Sequence, residues 1–240
     1  MPEAVHGTIG FFETESVSAP SLGNGWEFQN GGGENRAWTR DNDLGKSGDE
    51  LQSALHDEKV TTSFTYVFKQ PSTPVTHYTW PKIGQVSGGW LFDNFSVAWS
   101  RDKLAAVLTL NCHRHGSGNH EQGRTYTPSL AAIAVPSFGV PSSFGSAFAL
   151  ASGAVVDLRS ATYTVGVTHV DETGRSGGHL KGDSHDGVET LAVELTGAAT
   201  ADDYTTSWDK TGAARTPSNT GVTTSSLSFE HHLQHDVDEE

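Results

Sequence analysis

The chain has 240 residues, 35% of them apolar, and a formal net charge of −14 from 15 Lys and Arg against 29 Asp and Glu. That length allows one large all-β domain or two small ones, and the charge excludes a sequence-wide basic footprint for gripping nucleic acid. The single cysteine, Cys112, excludes an intrachain disulfide, and no apolar run approaches the roughly 20 residues that span a bilayer.

The chain opens with "MPEAVHGTIGFFETESV", which lacks a basic stretch followed by an apolar one. Synthesis in the cytosol without a signal peptide is the expectation. Residues 1–46 are rich in Gly, Asn and Asp towards their end and read as an N-terminal arm and loops. Residues 47–57 read as the one short helix. Ser47 and Glu50 have capping-box spacing, and Leu51, Ala54 and Leu55 form an apolar stripe. The ten residues "DNDLGKSGDE" (41–50) have some look of a calcium loop. Lys46 stands where such a loop needs Gly, and Gln52 where it needs Glu, so calcium is rejected.

From residue 58 onward, alternation of period two dominates. Six strands are expected, at 60–68, 90–100, 104–112, 161–169, 188–197 and 222–233. Their inward faces should carry Val60, Phe64, Tyr66 and Phe68; Phe95, Val97 and Trp99; Leu104, Ala106, Leu108, Leu110 and Cys112; Tyr163, Val165 and Val167; Leu191, Val193 and Leu195; and Leu227, Phe229, His231 and Leu233. The short polar joint "SRDK" (100–103) predicts a hairpin between the second and third. Residues 113–153, 171–187 and 198–221 read as long loops, which in compact domains are functional or disordered. The fold expected over 1–240 is a single mainly β domain, an antiparallel β-sandwich or barrel with one short helix and long loops.

Twelve histidines raise the question of metal. His113 and His115 share a strand face and His120 follows closely, but the chain offers no Cys pair and no H-E-x-x-H. His231 and His232 point to opposite faces of a strand. The expectation is no metal and no cofactor. No nucleophile elbow and no phosphate-binding loop occurs, so no catalytic residue is assigned and no enzyme is expected. The six tryptophans (Trp26, Trp38, Trp80, Trp90, Trp99 and Trp208) offer stacking faces for a sugar, which makes a carbohydrate-binding sandwich one alternative.

The stretch "VVDLRSATYTVGVTHVDETGRSGGHLKGDSHDGVETLAVELTG" (155–197), with the later "TTSSLSFEHHL", resembles the central hairpin of long-tailed bacteriophage tail tube proteins. The likeness is a long alternating strand, a polar charged arm, a second alternating strand and a terminal strand. It covers about the last third of the chain. The resemblance implies a β-sandwich of the tail-tube type whose sheets join side by side into rings, hexameric ones, stacked into a hollow tube. It implies DNA as passing cargo in an acidic lumen, partners among tape measure, terminator and baseplate proteins, no membrane, and a place in the virion tail after synthesis in the host cytoplasm. Other tail components of the same module type (terminator, distal-tail or baseplate hub) are the further alternatives. The arm at 171–187 is expected to be mobile in the free subunit and ordered in the assembly. Its inter-subunit contacts are assigned to Asp171, Glu172, Arg175, His179, Lys181, Asp183, His185 and Asp186. The competing reading of the arm is a metal clip built from His169, His179 and His185 with an aspartate.

Overall fold

The structure, a computed structural model, describes residues 18–23, 25–44, 50–69, 71–73, 75–100, 102–103, 105–115, 124–130, 157–173, 179–196, 208–217 and 223–234. These form one antiparallel sheet of ten strands. In chain order the strands are β1 (Trp26–Gly31), β2 (Asn35–Leu44), β3 (Glu50–Phe68), β4 (Val86–Ser87), β5 (Trp90–Ser100), β6 (Val107–His115), β7 (Asp157–Thr173), β8 (His179–Thr196), β9 (Asp209–Thr216) and β10 (Thr224–His232). Across the sheet the order is β1-β3-β6-β5-β7-β8-β10-β9, with β2 also on β3 and β4 on β5.

All six expected strands are present, and their inward faces hold. Phe64, Phe95, Leu108, Leu110, Tyr163, Val165 and Leu191 are fully buried in one cluster. The β5–β6 hairpin forms across 100–103, where Lys103 N–H donates to the Ser100 carbonyl at 3.0 Å. Leu104 lies outside the described residues, and Val167, His231 and Leu233 are only half-buried.

The helix expected at 47–57 is a correction. Residues 50–57 are the first half of β3, and no helix occurs among the described residues. The apolar stripe loses because β2 offers a full ladder, from Asn35 opposite Thr61 to Leu44 opposite Glu50. Each rung satisfies backbone groups that an isolated three-turn helix would satisfy only marginally. Four of the expected loop regions are corrected in part, 113–153 among them because residues 113–115 end β6. The N-terminal 1–46 contains β1 and β2, 198–221 contains β9, and 171–187 is strand at 171–173 and 179–187. Residues 47–49, 116–123, 131–156, 174–178, 197–207 and 218–222 lie outside the described residues.

Two extended segments cover the core face of the sheet. Val75–Ile83 carries Tyr78, Trp80 and Ile83 into the core, and Arg124–Leu130 brings Leu130. An isolated bridge, Ile83 to Tyr126, joins them. Trp80 is the hub. Its ring stacks near Tyr78 at 5.5 Å and Phe95 at 6.1 Å, and also meets Trp26, Trp99 and Tyr163. Its Nε1–H donates to the Leu130 carbonyl at 2.9 Å, so the half-buried indole is satisfied.

The opposite face of the sheet is polar. Directly paired residues share a face, so Thr65, Thr109, Ser96, Thr164 and Thr190 form one hydroxyl row across β3, β6, β5, β7 and β8.

Burial in the aromatic core raises the phenol pKa of Tyr66, Tyr78 and Tyr163, that of Tyr78 to about 12. An unfolded tyrosine ionises near 10. The stabilisation from keeping these phenols neutral is therefore complete below pH 10 and is lost as pH rises through the native values. Urea midpoints should fall gently from about pH 8.5, where the unfolded Cys112 thiol ionises while the buried one stays neutral, and steeply between about pH 10 and 12. Tyrosinate absorbance should appear in step with unfolding; ionisation of all the tyrosines in a still-folded protein would contradict this core.

Candidate assembly interface

Strand directions place two hairpins at one end of the sheet. Because neighbours are antiparallel, β3, β5 and β8 run one way, and β6, β7 and β10 the other. The start of β3, the end of β7 and the start of β8 therefore meet at the same end. Beyond the other strands, β7–β8 continues for six rungs, from Thr168 opposite His185 to Thr173 opposite His179. The β2–β3 hairpin also continues for six, from Thr39 opposite His56 to Leu44 opposite Glu50. At ~3.3 Å per residue each overhang is about 20 Å long. Among the described residues no third strand joins either one.

The residues assigned to the arm thus lie largely on paired strands, which corrects the expected loop. Asp171 stands opposite Gly182, Glu172 opposite Lys181, Thr173 opposite His179 and Val170 opposite Asp183. Polar side chains did not prevent pairing here, because the ladder is made by backbone groups. Arg175, like Gly174, Gly177 and Gly178, lies outside the described residues. The hairpin brings the other named positions onto one element.

The root of this arm is a built junction. Ladder register breaks between Gly166 and Thr168 on β7, opposite Asp186 and Gly187 on β8. Asp186 adopts a left-handed φ of 53°, the one such non-glycine among the described residues. Gly187 lies against the Tyr126 ring, where a Cβ would come within 2.4 Å of it. A side chain there would push the 124–130 segment off the arm. Tyr126 in turn donates its hydroxyl to the Ser184 carbonyl at 3.2 Å. His169 Nδ1 lies 3.0 Å from the Ser184 hydroxyl, and its ring centre lies 4.7 Å from that of buried His113. Asp93, on a bulge of β5, holds His113 Nδ1 at 2.6 Å. His185 Nδ1 meets Asp186 at 2.7 Å. Arg124, Tyr126, His185, Asp186 and His232 line an open groove of about 530 Å³ beside the junction.

The β2–β3 root is held differently. Glu34 accepts from Arg36 at 2.8 Å and from Arg114 at 2.6 Å, and the Arg114 guanidinium sits 4.7 Å over the Trp90 ring. These contacts fasten the entry of β2 to β6 and β5.

His113 and His115 do share a strand face. Among the described residues, no group of three or more His, Cys, Asp and Glu is arranged to hold a metal ion. His120 lies outside the described residues, as does His179's side chain.

A second polar cluster went unassigned in the sequence. Glu189 faces the core from β8, with none of its surface exposed. It accepts from Tyr163 OH at 2.5 Å, from Ser129 N–H at 3.1 Å and from the Ser129 hydroxyl, and it meets His231 Nδ1 at 2.9 Å. Trp208 stacks on the His231 ring at 5.6 Å. His231 turns the same nitrogen towards Ser129 Oγ, at 3.4 Å, so one imidazole nitrogen serves carboxylate and serine alike. A relay would use two. The arrangement ties β7, β8, β10 and the 124–130 segment together. The signal was in the sequence: Glu189 is in phase with Leu191, Val193 and Leu195.

Three large apolar side chains are exposed among the described residues: Phe28 at 45%, Trp38 at 49% and Val170 at 48%. Phe28 and Trp38 are on the edge strands β1 and β2, and Val170 is on the projecting β7–β8 hairpin. The other tryptophans are used internally. Trp26, Trp90, Trp99 and Trp208 are buried, and Trp80 has Tyr78 on one stacked contact and Phe95 on another.

The chain matches no protein-family model and no curated protein.

Replacing Glu189 with Ala should cost about 3 kcal/mol in urea unfolding, because it strands the buried Tyr163 hydroxyl and removes the group that Ser129 and His231 share. Ser129→Ala removes one donor from a carboxylate that keeps others, and should cost about 1 kcal/mol. Equal, small losses for both would show that the carboxylate does not organise the core.

Proposed function

We propose that this chain is a virion structural protein, the major tail tube protein of a bacteriophage, which assembles into rings that stack into a hollow tube for DNA. One observation carries the reading. Every large apolar side chain left exposed among the described residues lies on an edge strand or on a projecting hairpin. Those are the parts whose backbone donors and acceptors also lack a neighbouring strand, and such edges template pairing with another chain. A monomer normally blunts them; this one decorates them with Phe28 and Trp38.

Strand parity supports ring formation. The path from β1 to β9 contains eight strands, all antiparallel. The β9 of one copy therefore runs opposite to β1 and β2 of the next. Edge-to-edge joining continues the antiparallel alternation through the joint, and a heterologous contact of this kind closes into a ring when its rotation permits. In this reading the sheet and the two segments across its core face form a sandwich of the tail-tube type, and the rings are hexameric.

Charge is consistent with DNA as cargo. The hydroxyl row of Thr65, Thr109, Ser96, Thr164 and Thr190 is uncharged, and the chain as a whole is acidic. Neither feature supplies the cations whose counterion release drives nucleic-acid binding. The carbohydrate alternative loses support because Trp38 alone among the tryptophans is broadly exposed.

At micromolar concentration and above, the protein should sediment as rings or longer assemblies. Trp38→Asp should return it to a monomer while leaving urea stability within about 0.5 kcal/mol, since the side chain is at the surface. A wild-type protein that stays strictly monomeric over that range would remove the basis of this reading. Copy number in the particle, many rather than one ring, separates a tube from a terminator or hub.

A further inference from the structure

The two hairpins make the molecule polar from end to end. Both overhang one end of the sheet, the end where β6 finishes at His115. Phe28 is near the other end. It pairs with Tyr66, two rungs from the last pair, Trp26 with Phe68. It packs against the edges of Phe64 and Tyr66, yet is left nearly half exposed. One end thus offers projecting ladders with an apolar Val170, and the opposite end offers an apolar Phe28 on an edge strand.

We infer that the β2–β3 hairpin is a second assembly arm, and that it and β7–β8 together clasp the opposite end of a second copy, with Val170 meeting Phe28 of that copy. This rests on the tail-tube reading and extends it, because the family resemblance covers β7, β8 and β10 and not the β2–β3 hairpin. The partner is a second copy of this chain because both halves of the contact belong to this chain and lie at opposite ends of its sheet. A contact between unlike ends repeats without closing, so it generates a stack. The ring joint uses the backbone edge of β1, while the Phe28 side chain lies on the face of Phe64 and Tyr66; a partner facing the same end would bring hairpins against hairpins and leave that side chain without a partner in the stack.

The hairpin and the contact are tested separately. In Asp41→Pro/Asn42→Pro, the β2–β3 ladder loses a rung donor beyond the body of the sheet, because the amides of consecutive strand residues point to opposite sides and one of the two faces β3. Its far-ultraviolet spectrum should remain that of a sheet, and it should sediment as single rings and not as stacked tubes. Tubes as long as those of the wild type would overturn the role of this hairpin. For the contact, Val170→Cys/Phe28→Cys is assembled and oxidised with diamide. Cys112 is buried and burial pushes its thiol pKa up, so it stays silent. Non-reducing gels should show a ladder of linked chains, and neither single variant should extend beyond a dimer. Wild-type tubes whose double-cysteine counterpart stacks but gives no ladder would overturn the Val170–Phe28 contact while leaving the tube reading intact. A wild type that forms no assembly sinks both.

Discussion

The Glu189 carboxylate is the constraint on which the rest of the structure turns. An isolated carboxylate in an apolar interior costs many kcal/mol, so it is tolerated only where donors surround it. Here those donors come from Tyr163 on β7, from Ser129 in the segment across the sheet, and from the neighbourhood of His231 on β10. Meeting the carboxylate's demand therefore places three elements at once. With Ser129 fixed, Leu130 is in position to accept from Trp80. With Trp80 fixed, the aromatic cluster from Trp26 to Tyr163 has its centre. The same 124–130 segment sets Tyr126 against Gly187, and so determines where the β7–β8 hairpin leaves the sheet. A polar demand in the core is thereby linked to the geometry of the projecting arm.

Sequence reasoning succeeded where one face of a strand is buried. Val60, Phe64, Tyr66 and Phe68 alternate because β3 has a core on one side there, and the same holds for β5, β6, β8 and β10. It failed where a strand leaves the body of the sheet. Residues 39–44, 171–173 and 179–185 carry no apolar alternation, since a two-stranded overhang has no core to face, and such polarity reads as loop. Polarity reports exposure; it does not report whether backbone groups are paired. The 50–57 stretch failed for a related reason. Leu51, Ala54 and Leu55 fit a helical stripe, but the partner strand that decides the matter, β2, is itself polar and was not recognised. β4 was also missed, although its signal was local: Gly88 and Gly89 both adopt positive φ between β4 and β5, the backbone that a two-residue hairpin turn requires.

The candidate site shows the same division. The arm residues were legible as a group because charged, glycine-rich sequence between two alternating runs stands out. Their pairing was not legible, and neither were Phe28, Trp38 and Val170, since a single apolar residue in a polar strand looks unremarkable until its exposure is known. Glu189 was legible in principle. A charged residue in register with three inward leucine and valine positions must either break the strand's facing or meet donors inside, and the structure takes the second course.

The sheet order has a consequence for how the chain acquires its shape. Five pairings are between consecutive strands joined by short connections: β2–β3, β4–β5, β5–β6, β7–β8 and β9–β10. The seams between the larger hairpins are β3 with β6, β5 with β7 and β8 with β10, and they join residues tens of positions apart, such as Tyr66 with Leu108, Phe95 with Val165 and Val193 with Leu227. Local hairpins close in microseconds, whereas long-range strand pairing waits on loop-closure entropy. During synthesis each hairpin can therefore zip as it emerges, while the seam at β5 stays open until β7 has been made. For that interval Phe95, Val97 and Trp99 have no β7 partner. In a crowded cell, where identical chains are made side by side, that waiting strand is the point at which partnering with the wrong copy competes with folding.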